Sequence, residues 1–413
     1  MVLGVGGGIA AYKSCELLRR LAAGGADVTV VPTAAALRFV GAATFEALSG
    51  HPVTTDVFTD IPSVAHVAIG QRADLVVIAP ATADLLARAA IGRADDLLTA
   101  TLLVTRAPVL MAPAMHTEMW SHPATVANVA TLRARGVVVM EPAVGRLTGT
   151  DSGPGRLPEA EHIAALAQLL LDRPDALPGD LVGRRVVVSA GGTREPIDPV
   201  RFLSNRSSGK QGYALAQVAA ARGAEVTLVA SDTTLTDPPG VEVVRVGDAR
   251  DLQREMTARS ADADVVVMAA AVADFRPAEA SETKIKKSDG RVPTIELVTN
   301  PDVLAGLVSA RSAASGASPL IVGFAAETGD ADGSVLEHAK AKLARKGCDL
   351  LVVNRVDGGR AFEVDVNEVT ILDAAGGSTT VDLGSKHVIA AAICDVIAAR
   401  IGPDAAPPLA ERS

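Results

Sequence analysis

Short apolar runs recur along the first part of the chain, and helix-like segments follow them. Runs without apolar–polar alternation are typical of strands that are covered on both faces. Alternation of such strands with helices predicts a parallel, doubly wound sheet. The predicted strands are residues 2–5, 27–31, 75–79, 109–112 and 137–139, and the predicted helices include 10–22 and 83–91.

The same pattern restarts after a polar segment, residues 172–183, that contains two prolines and is typical of a linker. The sequence therefore predicts two doubly wound, Rossmann-like α/β domains in tandem, residues 1–171 and 184–402, with a disordered tail at 403–413. In the second domain the predicted strands are 185–189, 225–230, 264–269, 320–323 and 350–353, a helix is predicted around 213–222, and an antiparallel hairpin is predicted at 368–373 and 379–383.

Composition narrows the class of protein. Hydrophobic residues make up 48% of the 413 positions and charged residues 21%, so a disordered chain is excluded. The net charge of −9 argues against general nucleic-acid binding. No apolar run has the roughly 20 residues of a membrane span, and the three scattered cysteines form no disulfide framework. We therefore expect a cytoplasmic protein without a signal peptide, although the sequence leaves open whether residues precede the first strand.

A glycine-rich segment at residues 4–10 lies between the first strand and the first helix. Glycines there let the backbone approach a phosphate, and the start of a helix favours its negative charge. A dinucleotide site expects an acidic residue at the end of the second strand, but here that strand ends Val31-Pro32-Thr33. The missing acid favours a mononucleotide such as FMN; the alternative is a tight turn without a ligand.

Other segments of the first half follow the ends of predicted strands, where ligands gather in open α/β sheets. In residues 80–84, Thr82 offers a hydroxyl, and Asp84 either contacts a ligand or caps the next helix. Residues 111–120 hold the only tryptophan and form either a ligand loop or a packed apolar corner. Residues 153–156 predict a turn that presents an arginine.

The motifs of the first half resemble those of the flavoprotein cysteine decarboxylases, which include phosphopantothenoylcysteine decarboxylase. They are GGIAAYK at 7–13, His66, PATAD at 80–84, PAMHTEMW at 113–120 and GPGR at 153–156. The resemblance implies a flavodoxin-like domain that binds FMN at a subunit interface of a trimer. It also implies that the flavin oxidises the thiol-bearing carbon of the substrate to a thioaldehyde, that CO2 leaves, and that the resulting enethiol is reduced.

The resemblance also assigns residues and exposes two departures from the family. The family usually has Asn at the position of His116, and members of the coenzyme A pathway usually have a cysteine shortly before GPGR that protonates the enethiol. We expect Asp151, His116 or a water molecule to replace that cysteine. The implied FMN-binding residues are Gly7, Gly8, Ile9, Ala10, Thr33, Thr82 and Ala83; the implied catalytic histidine is His66; the implied substrate-binding residues are Met115, His116 and Arg156.

A polar, glycine-containing segment at residues 189–210 follows the first strand of the second half. It is not a P-loop, because Gln211 follows Gly209-Lys210 and no glycine stands at the required earlier position. A nicotinamide site is poorly supported, because Asp232 lies roughly 40 positions past Gly191 where about 20 are expected. Its arginines and lysine suit a phosphorylated substrate; the alternative is a long solvated loop. The lysines of residues 284–287 either neutralise a triphosphate or are solvated surface.

The second half resembles phosphopantothenate–cysteine ligase, most clearly in GGTREPIDPVRFLSNRSSGKQG at 191–212. The resemblance implies that the carboxylate of 4'-phosphopantothenate attacks the α-phosphate of CTP, and that the amine of cysteine then attacks the acyl-cytidylate. A divalent cation such as Mg2+ would neutralise the phosphates, and its ligands are unknown. Asn205 is implied to contact the acyl-cytidylate, and Lys284 to act in the second step. The implied CTP-binding residues are Ala269, Ala270, Asp274, Lys284, Pro301, Asp302, Val303, Phe324, Lys342 and Lys346, and Asn205, Arg201 and Lys210 are assigned to the ligase substrate.

The order of the two halves matches that of the fused bacterial enzymes of coenzyme A biosynthesis. The resemblance implies a homo-oligomer, a dodecamer of decarboxylase trimers joined by ligase dimers, that acts on 4'-phosphopantothenate, cysteine and CTP. Two alternatives stay open from the residues themselves. One is a nicotinamide-dependent oxidoreductase. The other is a flavoprotein scaffold whose decarboxylase half is inactive.

Overall fold

The computed structural model describes residues 1–55, 64–147, 151–286, 294–313, 318–327, 334–355 and 366–402. The chain forms two compact units. The first contains Met1–Gly179 with Pro238–Gly240, and the second contains Asp180–Asp237 with Val241–Ser413. The tail expected at 403–413 lies outside the described residues.

The first unit is built on a five-stranded sheet in which all strands are parallel. The strand order is β2-β1-β3-β4-β5, which is the flavodoxin-like order. The prediction of a doubly wound sheet is therefore confirmed. The strands are β1 (Val2–Val5), β2 (Thr29–Pro32), β3 (Val76–Ala81), β4 (Val109–Pro113) and β5 (Val138–Val139).

Helices of the first unit cover the sheet and bury its apolar runs. Leu85 and Leu98 have no exposed surface and lie in one buried cluster with Ile78 of β3. The predicted helix at 10–22 begins instead with a 3-10 turn, Ile9–Lys13, because Ala11 donates to the carbonyl of Gly8 only three residues earlier. The helices are α1 (Ser14–Ala23), α2 (Ala42–Ser49), α3 (Ala65–Arg72), α4 (Ala83–Ile91), α5 (Leu97–Val104), α6 (Thr117–Trp120), α7 (Pro123–Ala134) and α8 (Ala160–Asp172), and Ala36–Arg38 is a second 3-10 turn.

A small antiparallel hairpin adjoins this sheet. Its strands are β6 (Ala143–Arg146) and β7 (Ser152–Arg156). The prediction of a turn at residues 153–156 was wrong, because these residues form β7. Glycine and proline suggested a turn, but Gly155 has φ +149° and its carbonyl accepts a hydrogen bond from Met115, which ties the strand to the loop after β4.

The second unit is built on an eight-stranded sheet in the order β12-β11-β8-β13-β16-β17-β18-β19. The first six strands are parallel, and the last two form the predicted antiparallel hairpin at one edge. The strands are β8 (Arg185–Ala190), β11 (Glu225–Ala230), β12 (Val241–Arg245), β13 (Val265–Met268), β16 (Leu320–Glu327), β17 (Leu350–Arg355), β18 (Val366–Asp373) and β19 (Ser378–Ser385).

Five helices and two small two-stranded sheets complete the described part of the second unit. Strand β9 (Glu195–Pro196) pairs with β10 (Phe202–Leu203), and β14 (Phe275–Pro277) pairs with β15 (Leu297–Thr299). Neither pair was predicted, because strands of two or three residues are too short to show an alternation of apolar and polar positions. The helices are α9 (Lys210–Ala221), α10 (Ala249–Ser260), α11 (Val303–Ala313), α12 (Val335–Lys346) and α13 (Lys386–Ile401). Within the described ranges, every helix is too short or too polar to cross a membrane.

A buried arginine joins three parts of the second unit. Arg222, at the end of α9, has 1% of its side chain exposed. Its Nε atom donates to Asp180 at 2.7 Å, and its Nη1 atom donates to Asp395 on α13 at 2.7 Å. Because a buried charge is stable only when it is paired, these two carboxylates hold the guanidinium in the interior.

Candidate functional site

A cavity of about 700 Å³ lies at the carboxyl ends of the parallel strands of the first unit. It opens beside β1 and β3, where the strand order reverses and where ligands bind in doubly wound sheets. The loops after β1, β2, β3 and β4 and the end of β7 form its walls. Among the residues assigned from the sequence, those that line it are Gly7, Gly8, Ile9, Ala10, Thr33, Thr82, Ala83, Met115, His116 and Arg156.

The glycines after β1 differ in what they do for the cavity. A β-carbon at Gly6 would lie 2.4 Å from the carbonyl oxygen of Pro80, and one at Gly7 would lie 2.3 Å from the β-carbon of Ala35. These two glycines are required by the close approach of neighbouring loops. A β-carbon at Gly8 would meet only Thr82, at 3.5 Å. The surrounding protein atoms therefore leave space for a β-carbon at position 8. Because Gly8 has no side chain, this space remains part of the cavity.

The start of α4 forms one side of the cavity. Thr82 caps this helix, because its hydroxyl oxygen accepts a hydrogen bond from the N–H of Leu85 at 3.3 Å. The alternative that Asp84 caps the helix is wrong. Asp84 accepts from Arg88 one turn later, at 3.0 Å, and Arg88 also donates to Asp96 at 2.7 Å. A paired, polar rim therefore borders this side of the cavity.

At Arg156, on the wall of the cavity, two cations share one carboxylate. Arg156 forms an ion pair with Glu159, and the Nζ atom of Lys13 lies 3.4 Å from the same carboxylate. Burial and the neighbouring Arg156 lower the pKa of Lys13. The Nε atom of Arg156 is buried and has no hydrogen-bond partner among the described atoms. Two cations against one anion leave this wall with an excess of positive charge, which suits an anionic ligand.

Residues Met115 and His116 are held on the cavity wall by backbone contacts. The N–H of Met115 donates to the carbonyl of Gly155 at 2.9 Å, and that of Ala114 donates to Ala81 at 3.1 Å. His116 stands directly before α6, and its side chain makes no capping hydrogen bond to that helix. The imidazole therefore does not cap α6 with a hydrogen bond.

Two residues assigned to catalysis do not line the cavity. His66 is the second residue of α3, and its Nδ1 atom is buried without a partner in the described part of the chain. Asp151 is exposed, and its carbonyl accepts from Leu147 at 2.8 Å. Leu147 itself lines the cavity, so Asp151 lies near the edge and not on the wall.

In the second unit, the loops after β8 and β13 are bonded to each other. Gly192 and Ala271 form a parallel bridge. The carbonyl of Gly191 accepts from Ala271 at 2.8 Å, and the buried hydroxyl of Thr193 accepts from the N–H of Ala273 at 3.0 Å. Ala269, Ala270 and Asp274, which were assigned to CTP, belong to this fixed loop.

Two asparagines attach further segments to the same loop. The amide of Asn205 donates to the carbonyl of Val272 at 2.9 Å, and that of Asn300 donates to Ala273 at 2.8 Å. The segment that contains Asn205 and the segment before Pro301 therefore meet at the carboxyl edge of the sheet. The sequence motifs alone could not show which backbone atoms these two asparagines contact.

Helix α12 contributes to the same region. Lys346 forms an ion pair with Asp302 at the start of α11. Burial acts to raise the pKa of Asp302, but the hydrogen bonds from Lys346 and from the N–H of Ala305, together with the nearby positive charges, lower it overall. Lys342 lies one turn earlier on α12, and Phe324 lies half-buried on β16. Lys210 is the first residue of α9, directly after Gly209 at φ +74°.

The assigned residues Arg201 and Lys284 differ in their contacts. Arg201 pairs with Asp198, whose side chain has no exposed surface, and donates to the carbonyl of Ile285 at 2.9 Å. Lys284 is exposed and forms no ion pair with a described residue. Asp198 was not among the site residues predicted from the sequence. The signal was present, because aspartate before Pro-Val-Arg is typical of a turn in which the carboxylate accepts from the next N–H groups.

Among the described residues, no group of three or more His, Cys, Asp or Glu side chains is placed to hold a metal ion. A divalent cation bound mainly by protein carboxylates does not fit the residues that the structure describes.

Comparisons with known proteins place the chain in a family. The flavoprotein family model matches residues 1–171, and the model for the DNA/pantothenate metabolism flavoprotein C-terminal domain matches residues 181–401. The coenzyme A biosynthesis bifunctional protein CoaBC of Mycobacterium tuberculosis (strain H37Rv) is 66% identical over 401 residues, which are 96% of each chain. The protein of the same name from Mycolicibacterium smegmatis is 66% identical over 403 residues, 97% of each chain. A crystal structure of the C-terminal domain of a CoaBC protein is 35% identical, with a TM-score of 0.45, and covers 54% of this chain and 98% of its own.

The two family models match the two halves in the order that the motifs indicated, and the two mycobacterial relatives align over almost the whole chain. The resemblance of both halves is confirmed. The chain belongs to the family of bifunctional coenzyme A biosynthesis proteins, in which a flavoprotein phosphopantothenoylcysteine decarboxylase half precedes a phosphopantothenate–cysteine ligase half.

Proposed function

We propose that the ligase half joins 4'-phosphopantothenate to cysteine through an acyl-cytidylate made from CTP, and that the decarboxylase half converts the product to 4'-phosphopantetheine with FMN. The observation that carries the proposal is a spatial one. In the first unit the assigned residues other than His66 and Asp151 line one cavity at the carboxyl edge of the sheet, and in the second unit the loop at 269–274, Asn205 and the segment before Pro301 meet at the corresponding edge. That edge is where doubly wound sheets bind nucleotides and other ligands.

The cavity of the first unit fits a mononucleotide. Its volume of about 700 Å³ lies within the range of ligand pockets. Gly8 leaves open the space beside the start of the 3-10 turn, where N–H groups suit a phosphate. Gly7–Ala10 would hold the phosphate, and Thr33, Thr82 and Ala83 would hold the rest of FMN. When bound, FMN supplies the two-electron oxidation of the thiol-bearing carbon and its later reversal.

The protein side chains bind the substrate and move protons. Arg156, with Lys13 beside it, offers positive charge to the anionic groups of phosphopantothenoylcysteine. His116 donates a hydrogen bond to the carboxylate that is lost as CO2. In this proposal His116 also gives the proton that the enethiol carbon needs on reduction. Its place on the cavity wall favours it over Asp151, which lies off the wall.

The position of His66 supports a site shared between subunits. His66 does not line the cavity of its own chain, and it is only half-buried at the start of α3. A neighbouring protomer of the expected trimer would supply this histidine to the cavity. The full assembly in the proposal is a cytoplasmic homo-oligomer, a dodecamer of decarboxylase trimers joined by ligase dimers.

The ligase reaction has two steps in the proposal. The carboxylate of 4'-phosphopantothenate attacks the α-phosphate of CTP, and pyrophosphate leaves. The amine of cysteine then attacks the acyl carbon, and CMP leaves with the electron pair of the broken acyl–phosphate bond. The fixed loop at 269–274, the segment at 301–303, Phe324, Lys342 and Lys346 surround the nucleotide. Asn205 contacts the acyl-cytidylate, and Lys210 contacts the phosphorylated substrate.

Lys284 acts in the second of these steps. Its exposed ammonium is available to the negative charge that develops when cysteine attacks. A divalent cation such as Mg2+ would be bound mainly by the phosphates of CTP, because no metal-binding group was found in the described residues. We therefore assign no step to a metal held by the protein.

The nucleotide products and the released cofactor test the two halves separately. With CTP, 4'-phosphopantothenate and cysteine, we expect one CMP and one pyrophosphate for each amide bond. Release of CDP and phosphate would contradict the acyl-cytidylate. Denaturation of the purified protein should release FMN, identified by chromatography, and release of FAD or of no flavin would contradict the assignment of the cavity.

A further inference from the structure

The segment that carries Lys284 is attached to a turn far away in the sequence. We call residues 278–286 the lysine strap and residues 197–201 the acidic turn. The acidic turn lies between β9 and β10 and is closed by hydrogen bonds from the N–H groups of Ile197 and Asp198 to the carbonyl of Arg201. The lysine strap follows β14. The two segments touch at Ser281 and Ile285, through contacts that join residues more than eighty positions apart.

Three hydrogen bonds join the lysine strap to the acidic turn. The N–H of Ser281 donates to the carbonyl of Ile197 at 2.9 Å. The N–H of Ile285 donates to the carboxylate of Asp198 at 3.2 Å, and the carbonyl of Ile285 accepts from the guanidinium of Arg201 at 2.9 Å. Both polar backbone groups of Ile285 are therefore held by one ion pair.

The ion pair between Asp198 and Arg201, which holds Ile285, is itself held by several hydrogen bonds. One carboxylate oxygen of Asp198 accepts from the N–H groups of Val200 at 2.9 Å and Arg201 at 2.8 Å. The other oxygen accepts from Nε of Arg201 at 2.9 Å and from its Nη2. The hydrogen bonds from Arg201, together with those from the backbone, hold the pKa of Asp198 well below its usual range. Each of these contacts favours the ionised form of the carboxylate.

Lys284 is the residue directly before Ile285, so the contacts of Ile285 restrict where its backbone lies. A lysine side chain has four rotatable bonds and loses much freedom when its ammonium must reach one place. Fixing both sides of residue 285 fixes the point from which the Lys284 side chain extends. Positioning of this kind matters in catalysis, because a misplacement of 1 Å costs on the order of a hundredfold in rate.

We propose that Asp198 and Arg201 are positioning residues for Lys284 in the attack of cysteine on the acyl-nucleotide. The inference rests on the role that the proposed function gives to Lys284. It adds to that role by naming the groups that position the lysine. Arg201 then serves to position Lys284 and not to bind 4'-phosphopantothenate. Neither residue touches the reacting atoms in this proposal.

The test separates the two steps of the ligase reaction in the full-length protein. Pyrophosphate release with 4'-phosphopantothenate and CTP but without cysteine reports the first step, and CMP release after addition of cysteine reports the second. For Asp198→Asn and Arg201→Met we expect the second step to slow on the order of a hundredfold, with the first step within about twofold of the parent. Arg201→Lys retains the ion pair but loses the forked geometry, so it should recover part of the rate.

Three controls make the outcome specific. Asp373→Asn removes a charge from a turn of the appended hairpin, where its carboxylate accepts from Ala375, and should leave both steps unchanged. Decarboxylation of added phosphopantothenoylcysteine by the same variants reports whether the chain is folded. Lys284→Ala should slow the second step at least as much as Asp198→Asn.

The possible outcomes distinguish the inference from the function on which it rests. If Lys284→Ala slows the second step and the Asp198 and Arg201 variants do not, the positioning role is overturned and the role of Lys284 stands. If Lys284→Ala leaves both steps intact, the role of Lys284 fails and the positioning role fails with it. Equal slowing of both steps by Asp198→Asn would show that the ion pair serves substrate binding or folding instead, and would also overturn the inference.

Discussion

The carbonyl oxygen of Met115 lies so close to Gly155 that a β-carbon at position 155 would be 2.2 Å from it. The N–H of Met115 also donates to the carbonyl of Gly155. Through this contact the strand β7 holds the loop that carries His116 and places Arg156 at the cavity. The site of the decarboxylase half therefore depends on a glycine that sequence motifs suggested was part of a turn.

Substitution Gly155→Ala should loosen the flavin site. The added β-carbon clashes with backbone, and φ +149° is unfavourable for alanine. We expect FMN affinity to fall by about tenfold or more, which corresponds to roughly 1.4 kcal/mol, while ligase activity is retained. Gly136→Ala is the matched control, because Gly136 has φ +82° but open space around it. Equal flavin affinity in the two variants would contradict the role of the contact.

Replacing His116 should separate the two activities. For His116→Ala we expect the formation of 4'-phosphopantetheine from added phosphopantothenoylcysteine to fall by about 10²-fold or more, as is usual on loss of a general acid, with ligation unchanged. Unreduced enethiol and unreacted phosphopantothenoylcysteine should then accumulate, which mass spectrometry would detect. Asp151→Asn should leave the formation of 4'-phosphopantetheine near the parent rate. A large loss of 4'-phosphopantetheine in Asp151→Asn and none in His116→Ala would reverse the assignment of the proton donor.

Thr193 should affect the binding of nucleotide through the loop that it holds. In Thr193→Val the N–H of Ala273 loses its acceptor in a buried place, at a cost of about 1–3 kcal/mol. We expect the KM for CTP to rise by about tenfold, with a smaller change in kcat. Thr193→Ser should restore it. Ser260→Ala removes a hydroxyl that donates to Thr257 at the end of α10 and should leave the KM unchanged. A KM for CTP in Thr193→Val equal to that of Ser260→Ala would contradict this prediction.

The buried guanidinium of Arg222 should matter for stability and not for chemistry. Asp395→Asn weakens one of its two pairs, but Asp395 is itself 42% exposed, so solvent moderates the loss. We expect the second unit to lose about 1–2 kcal/mol of unfolding free energy, measured by urea denaturation followed through ligase activity. Flavin release should keep its midpoint. An unchanged ligase midpoint would show that Asp180 alone satisfies Arg222.

Elements in the covered layers of the parallel sheets could be predicted from the sequence, and the small strand pairs outside these layers could not. The bounds of β1, α4 and β11 agree with the apolar pattern, because these elements lie in the covered layers of a parallel sheet. The strands β6, β7, β9, β10, β14 and β15 have two to five residues, and contacts distant in sequence fix them. Gly155 against Met115 is one such contact, and Ser281 against Ile197 is another.

The candidate sites were predictable in part for the same reason. Motif residues at strand ends were expected to meet, and Gly7, Thr82 and His116 do line one cavity. The contacts of His66 could not be predicted from the sequence of one chain, because in the proposed trimer they depend on a neighbouring protomer. The contact of Asp198 with Ile285 spans 87 positions and involves a backbone N–H, which no motif records.

The most direct test of the central claim is mass spectrometry of the products that the purified protein forms from 4'-phosphopantothenate, cysteine and CTP. We expect 4'-phosphopantetheine with CO2, CMP and pyrophosphate, which requires both halves to act in sequence. Accumulation of phosphopantothenoylcysteine without CO2 would contradict the proposed decarboxylase site. Absence of any amide product would contradict the bifunctional assignment as a whole.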